Sequence, residues 1–108
     1  MQYGTLFRMR LRPGATEEQL RAHLDLWQRK LGPRFPGSTM DILMKVVSAT
    51  EEYVALHLFA DQAAYQAMDA DAAQDSWYRE LVALLAEEPQ FTDVGLLWSE
   101  LTDADGGV

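Results

Sequence analysis

From Tyr3 to Arg12 the chain alternates. Tyr3, Thr5, Phe7, Met9 and Leu11 fall on one side and Leu6, Arg8, Arg10 and Arg12 on the other. A period of two with one apolar side predicts a half-buried strand, stopped by Pro13-Gly14. Thr16-Glu17-Glu18-Gln19 predicts a capping box, in which the Thr16 hydroxyl accepts from the Gln19 amide while the Gln19 side chain reaches back. Leu20, Leu24, Trp27 and Leu31 then recur at helical spacing, and Gly32-Pro33 closes the helix. After Phe35-Pro36-Gly37, Met40, Ile42, Met44 and Val46 alternate with Asp41, Leu43, Lys45 and Val47. A polar link at Thr50-Glu51 leads to a further strand from Tyr53 to Phe59, so the two form a hairpin. Asp61 caps a helix carrying Ala64, Tyr65 and Met68. The stretch 69–75 breaks it before a second segment with Trp77, Leu81, Leu84 and Leu85. Pro89 ends the helix, and residues 91–100 predict a last strand with Val94, Leu96 and Trp98 on its apolar side.

Strand, helix, strand, strand, helix, strand with right-handed crossovers is an α+β, ferredoxin-like β-α-β-β-α-β arrangement. Its four-stranded antiparallel sheet has the order 4-1-3-2. Two helices cover one side of such a sheet only. The covered face is predicted to hold Phe7, Met9, Met40, Ile42, Met44, Val54, Leu56, Leu58, Val94, Leu96 and Trp98. The opposite face then mixes apolar groups with charges of both signs and is too apolar to be left in water. The expected cover is a second copy of the chain, with Arg8, Arg10, Asp41, Leu43, Tyr53, His57, Asp93 and Leu97 in the homodimer interface and Arg10 beside Asp93.

Composition narrows the function classes. The chain has 108 residues and a net charge of −8, which disfavours a phosphate backbone or an anionic membrane surface as partner. No cysteine is present, so disulfides, thiolate nucleophiles and zinc–thiolate sites are excluded. No apolar run approaches the ~20 residues that span a bilayer. The expectation is a cytoplasmic protein with one domain over residues 1–101 and a disordered acidic tail over 102–108.

The sequence resembles the dimeric α/β-barrel superfamily, in particular its antibiotic-biosynthesis-monooxygenase-like domains and their haem-degrading relatives. The residues that carry the resemblance are Arg12-Pro13-Gly14 after the first strand, Phe35-Pro36-Gly37 before the second, and Leu58-Phe59-Ala60-Asp61-Gln62-Ala63-Ala64-Tyr65 from third strand into helix. The resemblance implies a homodimer and, in some members, cofactor-independent oxygenation of aromatic or quinone-like molecules. The haem-degrading branch uses an asparagine, a tryptophan and a histidine that would fall at Met9, Met68 and Tyr78; none matches. Haem degradation is therefore not expected, and neither a cofactor nor a metal is.

His23, beside Leu20, Leu24 and Trp27, is the candidate general base, weighed against a packed histidine capped by a backbone carbonyl. His57 reads as an interface histidine paired with Asp41 or an arginine. With the two histidines on opposite faces and no HxH or HxxxH spacing, no metal site is expected. Met9, Trp27, Met44, Tyr65, Met68, Trp77 and Trp98 could line a helix–sheet pocket for a flat, apolar ligand, since methionine and aromatic side chains adapt to rings. The same residues also make an ordinary core. Two functions follow. One is an enzyme like the cofactor-independent monooxygenases acting on aromatic or quinone-like small molecules. The other is a non-catalytic homodimer that binds a small hydrophobic ligand or serves as an interaction module.

Overall fold

A computed structural model describes residues 1–101; the acidic tail expected over 102–108 lies outside them. The elements are β1 (Tyr3–Arg10), α1 (Glu17–Leu26), β2 (Ser38–Lys45), β3 (Glu52–Phe59), α2 (Gln62–Asp69), α3 (Ala72–Val82) and β4 (Gln90–Gly95). The sheet order is β2-β3-β1-β4 with every neighbour antiparallel, the expected 4-1-3-2 order read from the other edge.

Local signals set the helix ends. The Thr16 hydroxyl accepts from the Gln19 amide at 3.2 Å and the Gln19 side chain accepts from the Thr16 amide at 2.9 Å, so the capping box is complete. Asp61 caps α2 through the Ala64 amide and Asp71 caps α3 through the Ala73 amide, which explains why this region is two helices. The last turn of α1 widens into a π-helical turn, Trp27–Leu31, followed by a 3-10 turn at Gly32–Arg34. This turn buries Trp27 and Leu31 together.

Cross-strand register corrects the predicted faces. Phe7 lies opposite Ala55 and Phe91, Thr5 opposite His57 and Asp93, and Asp41 opposite His57. The side that packs against the helices therefore carries Thr5, Phe7 and Met9 as expected, but also Leu43, Tyr53, Ala55, His57 and Phe59. Helix contacts agree: Asp41 accepts from Gln28 at 3.0 Å and Tyr53 donates to Glu17 at 3.1 Å. Asp41, Leu43, Tyr53, His57 and Asp93 thus face the helices, whereas Arg8 and Arg10 face away as predicted. Arg10 pairs with Glu87 at 3.0 Å, not with Asp93, which sits on the other side of the sheet and accepts from Tyr3 at 2.9 Å. The uncovered side holds Met40, Ile42, Met44, Val54, Leu56 and Val94 around Leu6, with Ile42, Leu56 and Leu6 in one cross-strand row.

The last strand is shorter than predicted and ends at Gly95. Only the Leu96 amide goes one step further, to the Gln2 carbonyl at 2.9 Å. Leu97 (90% exposed) and Trp98 (76%) stand clear of the sheet. No helix among the described residues is long and apolar enough to cross a membrane.

Gly4 marks the tightest strand approach. A Cβ there would run into the His57 carbonyl oxygen and come within 2.8 Å of Leu58 Cα, both backbone atoms that cannot swing away. Gly4→Ala is expected to cost at least about 2 kcal/mol, above the usual point-mutant loss. Urea unfolding checks this, and a loss under ~0.5 kcal/mol would contradict it.

Candidate functional site

Between the sheet and the helices lies a cavity of about 200 Å³. Its floor is Thr5, Phe7, His57 and Phe91 of the sheet. Leu24 and Trp27 wall it on one side, Tyr65 and Met68 of α2 on another, and Gln74, Trp77, Tyr78 and Leu81 of α3 close it. Three carboxylates, Asp41, Asp69 and Asp75, complete the lining. Leu24 and Asp41 also border an open groove over Ser38–Leu43, which places Asp41 at the cavity's edge.

His57 is the buried titratable group of this cavity, 8% exposed. Its Nε2 lies 2.9 Å from the Ser38 hydroxyl. Its ring is held between Phe59, stacked at 4.5 Å, and the edge of Trp27 at 4.4 Å and 87°. Trp27 is fixed in turn, because its indole N–H donates to the Gln74 side-chain oxygen. The imidazole is thus clamped by β2, β3 and the π-helical turn. Burial pushes its pKa below the ordinary 6.5, outweighing the opposing pull of Asp41. It is neutral at pH 7, so one ring nitrogen is bare.

That shift has a stability consequence. As pH falls through 6.5 the unfolded chain takes up a proton that native His57 resists. Stability is therefore lost on acidification from 6.5 down to the lower native pKa, and above 6.5 the group adds no pH dependence. Urea unfolding at pH 7.5 and 5.5 should show a smaller acid loss in His57→Gln than in the parent protein. An unchanged loss would contradict the burial argument.

His23 is arranged differently. Its ring stacks on Trp77 at 4.7 Å and 6°, its Nε2 lies 2.9 Å from the Trp77 carbonyl oxygen, and Trp77 Nε1 donates to the His23 carbonyl at 2.9 Å. A carbonyl only accepts, so Nε2 carries a hydrogen and is not a free base. The reciprocal pair ties α1 to α3, and His23 does not line the cavity.

Of the predicted pocket residues, Trp27, Tyr65, Met68 and Trp77 meet at the cavity. Met9 is buried core outside its lining, Met44 is 46% exposed on the uncovered side of the sheet, and Trp98 projects beyond β4. Residues not anticipated as lining include His57, Asp41, Asp69, Asp75, Gln74, Tyr78 and Phe91. The signal for the first two was the hairpin itself, since a two-strand register sets Asp41 directly across from His57. Burial, followed by the charges of Asp69 and Asp93, pushes the Tyr65 hydroxyl up to about 12, so it remains a donor at neutral pH. Among the described residues no group of three or more histidines or carboxylates converges on a metal-sized position.

No protein-family model and no curated protein matches the chain. Solved structures do. SnoaB, a cofactor-independent oxygenase from Streptomyces nogalater, aligns with a TM-score of 0.74 over 91% of this chain and 95% of its own, at 13% identity. A candidate antibiotic biosynthesis monooxygenase from Bordetella bronchiseptica aligns with a TM-score of 0.74 over 90% and 98%, at 17% identity. A protein of unknown function from Nitrosomonas europaea aligns with a TM-score of 0.73 over 95% and 96%, at 22% identity. At these identities the likeness is one of architecture, covering nearly the whole of each chain. The chain therefore has the ferredoxin-like α+β fold of the antibiotic-biosynthesis-monooxygenase-like proteins.

Proposed function

We propose that this protein is a cofactor-independent, monooxygenase-like enzyme whose substrate is a small aromatic or quinone-like molecule bound in the helix–sheet cavity. The observation that carries the reading is a neutral, buried His57 set into an aromatic-walled cavity and held by Ser38 and Trp27. A cavity of about 200 Å³ exceeds the ~150 Å³ that admits benzene, which suits one or two fused rings. In this mechanism His57 takes the proton of an acidic substrate C–H or O–H, and the Tyr65 hydroxyl donates to the developing oxyanion. The substrate anion reacts directly with dioxygen. One oxygen atom enters the product and the other leaves as water, the electrons coming from the substrate.

The same reading includes a homodimer that covers the open side of the sheet. Ile42 and Met44 are 39% and 46% exposed there, inside a continuous aliphatic patch of the kind that marks an interface. Membership of the monooxygenase-like family is part of the proposal and is supported by the fold likeness to SnoaB.

Oxygen uptake measured with a panel of one- and two-ring phenols and hydroquinones tests the enzymatic step. Protein-dependent uptake above autoxidation is expected for at least one member. Binding of panel members without uptake would instead favour the non-catalytic ligand-binding homodimer.

A further inference from the structure

The charges around the cavity are of one sign. Its lining contains Asp41, Asp69 and Asp75 and no lysine or arginine. Asp75 is met by Arg79 at 2.9 Å. Asp41 is met only by the neutral Gln28 amide, and neither Asp41 nor Asp69 forms an ion pair among the described residues. The walls between these carboxylates are ring faces and edges, and an aromatic face attracts a cation through its quadrupole. An anionic group entering here would meet two carboxylates without a cationic partner, Asp41 at the cavity's edge and the exposed Asp69.

Resting on the binding role proposed above, we propose that the cavity selects a flat one- or two-ring aromatic molecule that carries a protonated amine. The ring system occupies the space between Trp27, Trp77 and Phe91. The ammonium group sits toward Asp41 and Asp69, donating to their oxygens. A neutral analogue of the same shape keeps the ring contacts and loses the ionic ones. A carboxylate analogue is repelled.

Three matched probes separate these terms by isothermal titration calorimetry at pH 7 and low salt: 2-naphthylmethylamine, 2-naphthylmethanol and 2-naphthoate. The amine is expected to bind at least ~10-fold more tightly than the alcohol, and the naphthoate more weakly than either. Asp69→Asn and Asp41→Asn should each cut the amine's advantage several-fold, while Glu80→Gln on the exposed side of α3 should leave it intact. Equal binding of amine and alcohol would overturn the charge selection and leave the aromatic-binding reading standing. An amine preference unchanged in both aspartate variants would also overturn it, because the net charge of −8 would then be the cause. No binding by any probe would overturn both readings.

Discussion

His57→Gln is expected to lower turnover of an oxidised aromatic substrate by ~100-fold or more while changing its affinity by no more than a few-fold. The glutamine keeps a polar group of similar reach for the Ser38 hydroxyl, which sits 2.9 Å from the imidazole in the parent protein, so the clamp is preserved. What it removes is the bare ring nitrogen, the one neutral base in the cavity lining. The carboxylates there are poorer substitutes, because Asp75 is tied to Arg79, Asp41 stands at the edge and Asp69 is exposed. His23→Gln supplies the contrast. It breaks the stack on Trp77 and the bond to its carbonyl, so it should cost stability, on the order of 1 kcal/mol for one such hydrogen bond, without a comparable loss of turnover. Steady-state oxygen uptake for the two variants separates the roles. A larger fall for His23→Gln than for His57→Gln would reverse the assignment.

The second large effect concerns assembly. Ile42→Asp should leave the chain folded and hold it as a monomer. Ile42 is 39% exposed in the single chain, so a carboxylate there stays hydrated while the chain is alone. In a two-fold dimer closed on this face, each copy would bury one carboxylate among the aliphatic side chains of the row Ile42, Leu56 and Leu6. An unpaired buried charge costs about 3–5 kcal/mol, and two would cancel most of the association energy of an ordinary interface. Sedimentation velocity at micromolar concentration should give a dimer for the parent and a ~12 kDa species for the variant. A variant that stays dimeric would place the interface elsewhere. Leu97 is not the place to test it, because it lies past the end of β4 and not on the sheet face.

The contrast between β1 and the hairpin shows what a linear pattern can and cannot reveal. In β1 the arginines at 8, 10 and 12 leave one reading, and Phe7, Met9 and Leu11 are buried as that reading requires. In β2 and β3 both alternating sets are apolar enough to pack. Val54, Leu56 and Leu58 look like core beside Tyr53, Ala55, His57 and Phe59, yet the second set meets the helices. Alternation alone does not separate the two sets, because the open face of this sheet is as apolar as its core. A shift of one residue in phase exchanges the two faces, and with them the sides on which His57 and Asp41 lie. That is why the aromatic half of the cavity was legible at Trp27, Tyr65, Met68 and Trp77 while its chemistry was assigned to His23. The cap signals at Thr16 and Asp61 act on neighbours a few residues away and start the helices as expected, whereas α3 ends at Val82, well before Pro89. The last pair of the β1–β4 ladder is Tyr3 with Gly95, a long-range pairing that no local pattern in residues 91–100 encodes.

An aromatic molecule that enters the cavity is expected to meet His57. The direct measurement is long-range proton–nitrogen NMR of the two histidine rings during titration with a one- or two-ring aromatic probe such as 2-naphthylmethylamine. Selective movement of the His57 ring signals, with the His23 signals little changed and the His57 response lost when Met68→Trp fills the cavity, is the predicted result. Saturable binding that leaves the His57 signals where they were would contradict it.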